Sequence, residues 1–534
     1  MKFRSWALAG AAAAAMAVSG VAAAKELRYA FQGSLSSLDP YALNETFTLG
    51  YLGNIYEGLI RRGADLGIEP ALAEKWEIVE PTRWRFHLRK GVKFHDGSNF
   101  SADDVVFSAT RVRADGSDLK TRISQDTKVV KVDDHTVDFV TTKPNPILHV
   151  EWATWYIMSK SWAQKNGAVK PQSVTAKDQK NYATLHANGT GPFTVLSHEP
   201  DVRTVAEVSS AWWDKPEHNL TKVTFTPIGS DATRVAALLS GQVDMAYPIP
   251  VQDQRRVDSN ASTSMLVGPE LRTIFLGMDQ HRDELVYSSV KGKNPFKDRR
   301  VREAFYRAIN VDAIKKKVMR GLSSPSALMV AAAPGINGGD DPKNPRYNRV
   351  EYDVAKAKAL LAQAGYADGF EVGMDCPNNR YVNDEAICTA AVSMLAKIGV
   401  KVNLLAQPKA QYFAKVLAPK LDTSFYLLGW TPGSFDAWNV LYNLHGCYST
   451  DTGRGKFNLG RYCNPKVDEL TDKVLTETDA TKRTTMIHQA WGMTTEELAY
   501  IPLHQQAVAW GVGDKVSLKQ RADNQFVWRH VTVK

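Results

Sequence analysis

Residues 371–405 read EVGMDCPNNRYVNDEAICTAAVSMLAKIGVKVNLL, and their pattern decides the fold class. The β-rich run 371–376 predicts a strand. A helix is expected over 383–398, stopped by Gly399, and a second strand over 400–405. Strand and helix alternate in this way in α/β domains. The alternation continues outward in both directions. Downstream, 411–417 reads as a helix and 425–430 as a strand. Upstream, Asp298 caps a helix whose apolar positions Val301, Ala304, Phe305, Ala308 and Ile309 keep helical spacing, and Asp353 caps another that ends at Gly365. Open α/β sheets bind ligands just beyond the carboxyl ends of their strands. Two loops occupy such positions, 377–381 and 431–436.

The N-terminal half carries a second β-α-β rhythm: strand 222–227, helix 231–239 stopped by Gly241, and strand 243–249. The β-rich stretch 272–278 is not capped by turn residues and is a candidate for carrying the chain from one lobe into another. Before these parts lies a mixed α+β block, 61–188. Its residues 84–89 alternate apolar and polar as a half-buried strand does, and Lys90-Gly91 marks a turn. Ser101 caps a helix over 101–113 with Asp103 and Asp104 in its first turn. Residues 128–141 suit a hairpin around Asp133-Asp134.

Lys2 and Arg4, an apolar run over 6–21, and Ala22-Ala23-Ala24 form a secretory signal peptide, with cleavage expected before Lys25. No Cys follows the run, so a lipid anchor is not supported. No later apolar stretch reaches the ~18 residues of a membrane span, so a soluble mature chain is expected. With 534 residues, 44% hydrophobic and 23% charged, the chain is globular and too long for one core. The formal charge of +9 is a weak bias at this length. Short basic runs such as Lys315-Lys316-Lys317 read as solvated helix faces, so no nucleic-acid partner is expected. The four cysteines, Cys376, Cys388, Cys447 and Cys463, allow three disulfide connectivities. The sequence-local pairs Cys376–Cys388 and Cys447–Cys463 are favoured over a zinc site, because no Cys-x-x-Cys pair is present.

Catalytic patterns are absent: no Gly-x-Ser-x-Gly, no phosphate-binding Gly-x-x-x-x-Gly-Lys and no His-Glu-x-x-His. Ser117 to Lys120 fits Ser-x-x-Lys but lies in a polar, Gly-containing stretch that reads as a surface loop. His445, close to the 431–436 loop, is a candidate for ligand or metal contact, although a lone His there is more often a polar wall residue. No catalytic residue, cofactor or metal site is assigned.

An ordered set of blocks runs through the chain: Leu38-Asp39-Pro40, NIYEGL at 54–59, PALAEKW at 70–76, WRFHLRKGVKFHDG at 84–97, ADDVVFS at 102–108, GTGPF at 189–193, FKDRRVR at 296–302 and KAKALL at 356–361. In these blocks the chain resembles the dipeptide/oligopeptide-binding class (family 5) of ABC-transporter periplasmic solute-binding proteins. The resemblance implies an α/β, two-lobed periplasmic binding protein fold, with an extra α+β subdomain inserted in the first lobe and a hinge between lobes. It implies a signal peptide at 1–24, a first lobe from 25–60, 189–272 and 507–534, an insert at 61–188 and a second lobe at 273–506. The hinge is expected near 270–278 and 500–508. The implied role is that of a monomeric receptor, not an enzyme. It captures a di- to oligopeptide in a closing cleft and delivers it to a membrane permease. Family members also carry glutathione, nickel chelates, opines or oligosaccharides.

The same resemblance implies site residues. Asp436, after the strand-end pair Gly429-Trp430, matches the carboxylate that meets a ligand α-ammonium. Arg380 matches an arginine that meets an α-carboxylate. Trp430, Phe435, Trp438 and Tyr381 are expected to line the pocket with Asn378, and Asn44 and Phe47 face it from the early loop. Trp152 and Trp155 are alternatives between pocket and core. The loop 431–438, TPGSFDAW, is shorter and more aromatic than the Gly- and Asp-rich form of the dipeptide binders.

Overall fold

The computed structural model describes residues 25–174, 176, 181–331, 339, 346–418 and 420–534. The expected signal peptide lies outside them.

The strands Glu371–Pro377 and Lys401–Gln407 pair in parallel, with Glu371 opposite Lys401, and the helix Asp384–Ala396 connects them. Phe425–Trp430 pairs in parallel on the other side of Glu371–Pro377. It also pairs antiparallel with the 16-residue strand Thr263–Met278, which lies along the 14-residue strand Tyr500–Gly513. From there the same sheet continues through Met245–Tyr247, Glu26–Phe31, Lys222–Pro227, Arg203–Val208 and Phe193–Glu199. The two long strands therefore cross the whole molecule. Their pairing is interrupted between Pro269 and Thr273, and at this irregularity Arg272 borders the space between the lobes while buried Glu270 holds it from behind.

Packing follows the same division. One core holds residues from both chain ends, including Tyr29, Phe225, Trp510 and Trp528. Two others fill the part from Ile274 to Leu503. The insert, with a sheet ordered Ala73–Glu80, Arg83–Leu88, Thr136–Val140, Lys128–Asp133, has no separate core: Phe86, Phe139, Trp152 and Trp155 belong to the first one. Trp152 and Trp155 are thus core residues, with Trp152 4.4 Å from Phe139 by ring centres. Gly189 and Gly191 let two chain segments touch there, since a Cβ would lie 2.0 and 2.7 Å from the Ile55 carbonyl oxygen.

Ser101, Asp298 and Asp353 cap their helices, and Ser101 forms a reciprocal capping box with Asp104. The strand expected over 243–249 is only Met245–Tyr247, because Pro248 and Pro250 have no N–H for the ladder. Both sequence-local disulfides are present. Cys376–Cys388 ties a strand end to its following helix, and Cys447–Cys463 closes the segment after His445.

Candidate ligand-binding site

A cavity of about 1090 Å³ lies between the lobes and the insert. One wall is the loop after Glu371–Pro377. Buried Asp384 accepts the backbone N–H groups of Arg380 and Tyr381, both at 2.9 Å, which sets the loop's shape. The Tyr381 hydroxyl donates to the Gly429 carbonyl at 3.3 Å. Gly429 has no room for a side chain, since a Cβ would lie 2.8 Å from Tyr381 Cε1 and from Ile274 Cδ1. The Tyr381 ring then carries two guanidinium groups, Arg380 at 5.2 Å and Arg272 at 5.8 Å. Arg272 is neutralised by Glu270 at 3.1 Å, and burial lowers its pKa. The Arg380 guanidinium has no carboxylate or hydrogen-bond partner among the described residues.

The second wall is the 431–438 loop. Trp430 faces the cavity and is held by its indole N–H on Asn439 Oδ1 at 2.9 Å. Phe435 is buried, takes φ 58°, and also faces the cavity. Asp436 lies behind this wall. It is 3% exposed and accepts both Nη groups of Arg483, at 2.6 and 2.8 Å. It also accepts the Trp438 backbone N–H at 2.8 Å and so caps the helix Ala437–Val440. Its charge is balanced inside the lobe.

The other expected residues divide similarly. Asn44, Arg380, Tyr381, Trp430 and Phe435 border the main cavity. Phe47 stacks on Phe31 at 4.0 Å and borders a side pocket of about 100 Å³ that shares Arg380 and Tyr381 with it. Asn378 is engaged with the Gln407 carbonyl, and Trp438 stacks on Tyr442 at 4.9 Å; neither borders the cavity. His445 also stands away from it, edge-on to Trp491 and Tyr500, and burial pushes its pKa down to about 3. It is therefore a neutral core histidine. Among the described residues no group of three or more His, Cys, Asp or Glu is placed to hold a metal ion.

Sequence reasoning missed most of the charged lining. Arg61, Arg62, Arg122, Arg272, Arg521 and Lys409 all border the cavity. Arg61 meets Asp214 at 2.7 Å and Arg521 chelates Asp523. Lys409 stands 3.6 Å from Glu45 on the opposite wall. Arg62 spends its donors on the carbonyls of Leu66, Val150 and Ser434, and the last of these, at 3.1 Å, bridges the lobes. These contacts join opposite walls of the cavity. Cations outnumber acids on its walls, so the site favours an anionic group.

The family model for bacterial extracellular solute-binding proteins, family 5 Middle, matches residues 67–452. The dipeptide-binding protein of Escherichia coli (strain K12) is 29% identical over 537 residues, covering 94% of this chain and 91% of the relative. The glutathione-binding protein GsiB of Pectobacterium atrosepticum is 27% identical over 498 residues, covering 91% and 90%. The crystal structure of a dipeptide-binding protein from Pseudoalteromonas sp. SM9913 in complex with Met-Leu shares the fold, with a TM-score of 0.81 at 22% identity over 96% of this chain and 100% of that one. With its two lobes, crossing strands and cation-lined cleft, the chain belongs to the bacterial extracellular solute-binding proteins of family 5.

Proposed function

We propose that this protein is a periplasmic receptor that captures a small peptide or peptide-like solute and delivers it to an ABC-transporter permease. The observation that carries the reading is Arg380: a guanidinium without a counter-charge among the described residues, stacked on Tyr381, at the wall of a cavity between two lobes. A carboxylate fits its planar donors bidentately, and exclusion of water by the closed lobes strengthens the contact. The cavity volume of about 1090 Å³ lies just above the ~300–1,000 Å³ of small-molecule sites, which suits an oligopeptide or a shorter peptide with bridging water. The relatives named for dipeptides and for glutathione support the ligand class.

The α-ammonium reading of Asp436 loses support from the bidentate Arg483 pair. Glu45, whose one ion-pair partner among the described residues is Lys409 at 3.6 Å, is the better acid on the wall for an ammonium group. A non-peptide anion such as an opine is the second reading, and the excess of wall cations is what favours it.

Native mass spectrometry of the purified protein, followed by a thermal-shift screen of di- to tetrapeptides, glutathione and opines, tests the proposal. A bound peptide is expected to raise the melting temperature by mass action, and Arg380→Gln to weaken it about tenfold or more. Stabilisation by opines alone would favour the second reading. No stabilisation by any of these would sink both.

A further inference from the structure

Arg122 stands apart from the other cations of the cavity. It ends the short turn Lys120–Arg122 of the insert. One Nη donates to Asn44 Oδ1 at 3.2 Å and the other to the Glu151 carbonyl at 3.5 Å. Both acceptors are uncharged, and Nε has no partner among the described residues. Arg61, Arg272 and Arg521 each hold a carboxylate of their own. Arg62 has its donors on three carbonyls. Arg529 pairs with Glu69 at 3.2 Å. Among the described residues, Arg122, whose buried Nε has no acceptor, and Arg380, whose guanidinium has none, are left without an ion-pair partner or a set of three carbonyl acceptors.

Arg122 is also pressed between chain segments. A Cβ on Gly433 would lie 3.0 Å from its Nη1, so the second lobe closes directly onto it. Burial lowers its pKa, and the Glu151 carboxylate, which makes no ion pair with it and is itself pushed up to about 7 by burial, opposes the fall only in part. A guanidinium taken out of water without a counter-charge is unfavourable unless an anion joins it.

We infer that Arg122 is the anchor for a second acidic group, so that the ligand is a peptide-like diacid held by one carboxylate at Arg380 and by the other at Arg122. The inference rests on the reading of this cavity as the receptor site and narrows its ligand class. It makes the insert part of recognition. A monoacid leaves Arg122 unpaired in the closed cleft, and that penalty supplies the discrimination.

Calorimetry with the matched tripeptides Glu-Ala-Gly and Gln-Ala-Gly, and with glutathione, tests it. The wild type is expected to bind Glu-Ala-Gly about tenfold more tightly than Gln-Ala-Gly. Arg122→Gln should abolish that preference, Arg122→Lys should restore part of it, and Arg380→Gln should weaken both tripeptides. Unliganded melting curves identify a variant that fails to fold, in which case Arg122→Lys against wild type carries the comparison. Equal affinities in the wild type, or a preference that survives Arg122→Gln, would overturn the second anchor and leave the receptor reading standing. Binding of none of the three probes would overturn the peptide-receptor reading, and the diacid with it.

Discussion

The guanidinium carbon of Arg62 lies 3.8 Å from the centre of the Phe435 ring. Arg62 follows the first part of the first lobe, and Phe435 belongs to the loop that forms the second lobe's wall, so separating the two walls would break the contact. A desolvated cation–π contact contributes up to about 2 kcal/mol. Arg62→Ala is therefore expected to shift the ligand-free protein toward open forms, seen as a larger radius of gyration in small-angle scattering. Ligand affinity should fall in proportion to the lost closed fraction. Unchanged scattering and affinity in Arg62→Ala would show that closure does not depend on this contact.

Asp436 and Arg483 make the sharpest contrast between sequence and structure. As a ligand anchor, Asp436→Ala would lose binding and keep stability. As the structure places it, the substitution leaves Arg483 buried without its partner and costs about 3–5 kcal/mol of stability. Denaturant melts of Asp436→Ala measure this directly. Replacing both residues, as in Asp436→Leu with Arg483→Met, should recover much of the loss. A stable Asp436→Ala protein that no longer binds would return the residue to the ligand.

The two cases show what was legible from residues alone. Local rules act over a few positions, so the strand at 425–430, the helix at 231–239 and the caps at Ser101, Asp298 and Asp353 could be read directly. The loop carrying Arg380 and Tyr381 was found from its position at a strand end. The partner of Asp436 lies 47 residues further on, and no spacing rule links them. Arg62, Arg122 and Arg272 come from three distant segments that only the tertiary fold assembles. Glu270 and Arg272 did leave a trace, as a charged pair in a β-rich stretch, which is unusual in a buried strand.

Glu151 gives a pH dependence with a defined sign. Burial pushes its carboxyl up from 4.5 to about 7, with Asp436 adding to the rise and Arg122 and Arg483 opposing it. The folded state therefore binds this proton more tightly than the unfolded chain does. The stability it contributes is fully present below pH 4.5 and is lost as pH rises through 7. Melting temperatures of wild type and Glu151→Gln should diverge between pH 5 and 8, with the variant flatter. Parallel curves would mean that Glu151 titrates like an exposed acid.

The disulfide Cys376–Cys388 joins the end of the strand that precedes Arg380 to the helix that follows it. Its sequence separation of 12 closes a short loop, and such a loop stabilises by about 3 kcal/mol in the chain-entropy model. The loop inside it is the one whose backbone N–H groups Asp384 holds. Replacing both cysteines with alanine is therefore expected to lower stability and also to loosen Arg380, so that ligand affinity falls even well below the melting temperature. Replacing Cys447 and Cys463 together removes a loop of similar size, with separation 16, away from Arg380. That pair should lower the melting temperature comparably and change affinity little. Equal effects of the two double variants on affinity would show that the first disulfide stabilises the lobe as a whole and does not position Arg380.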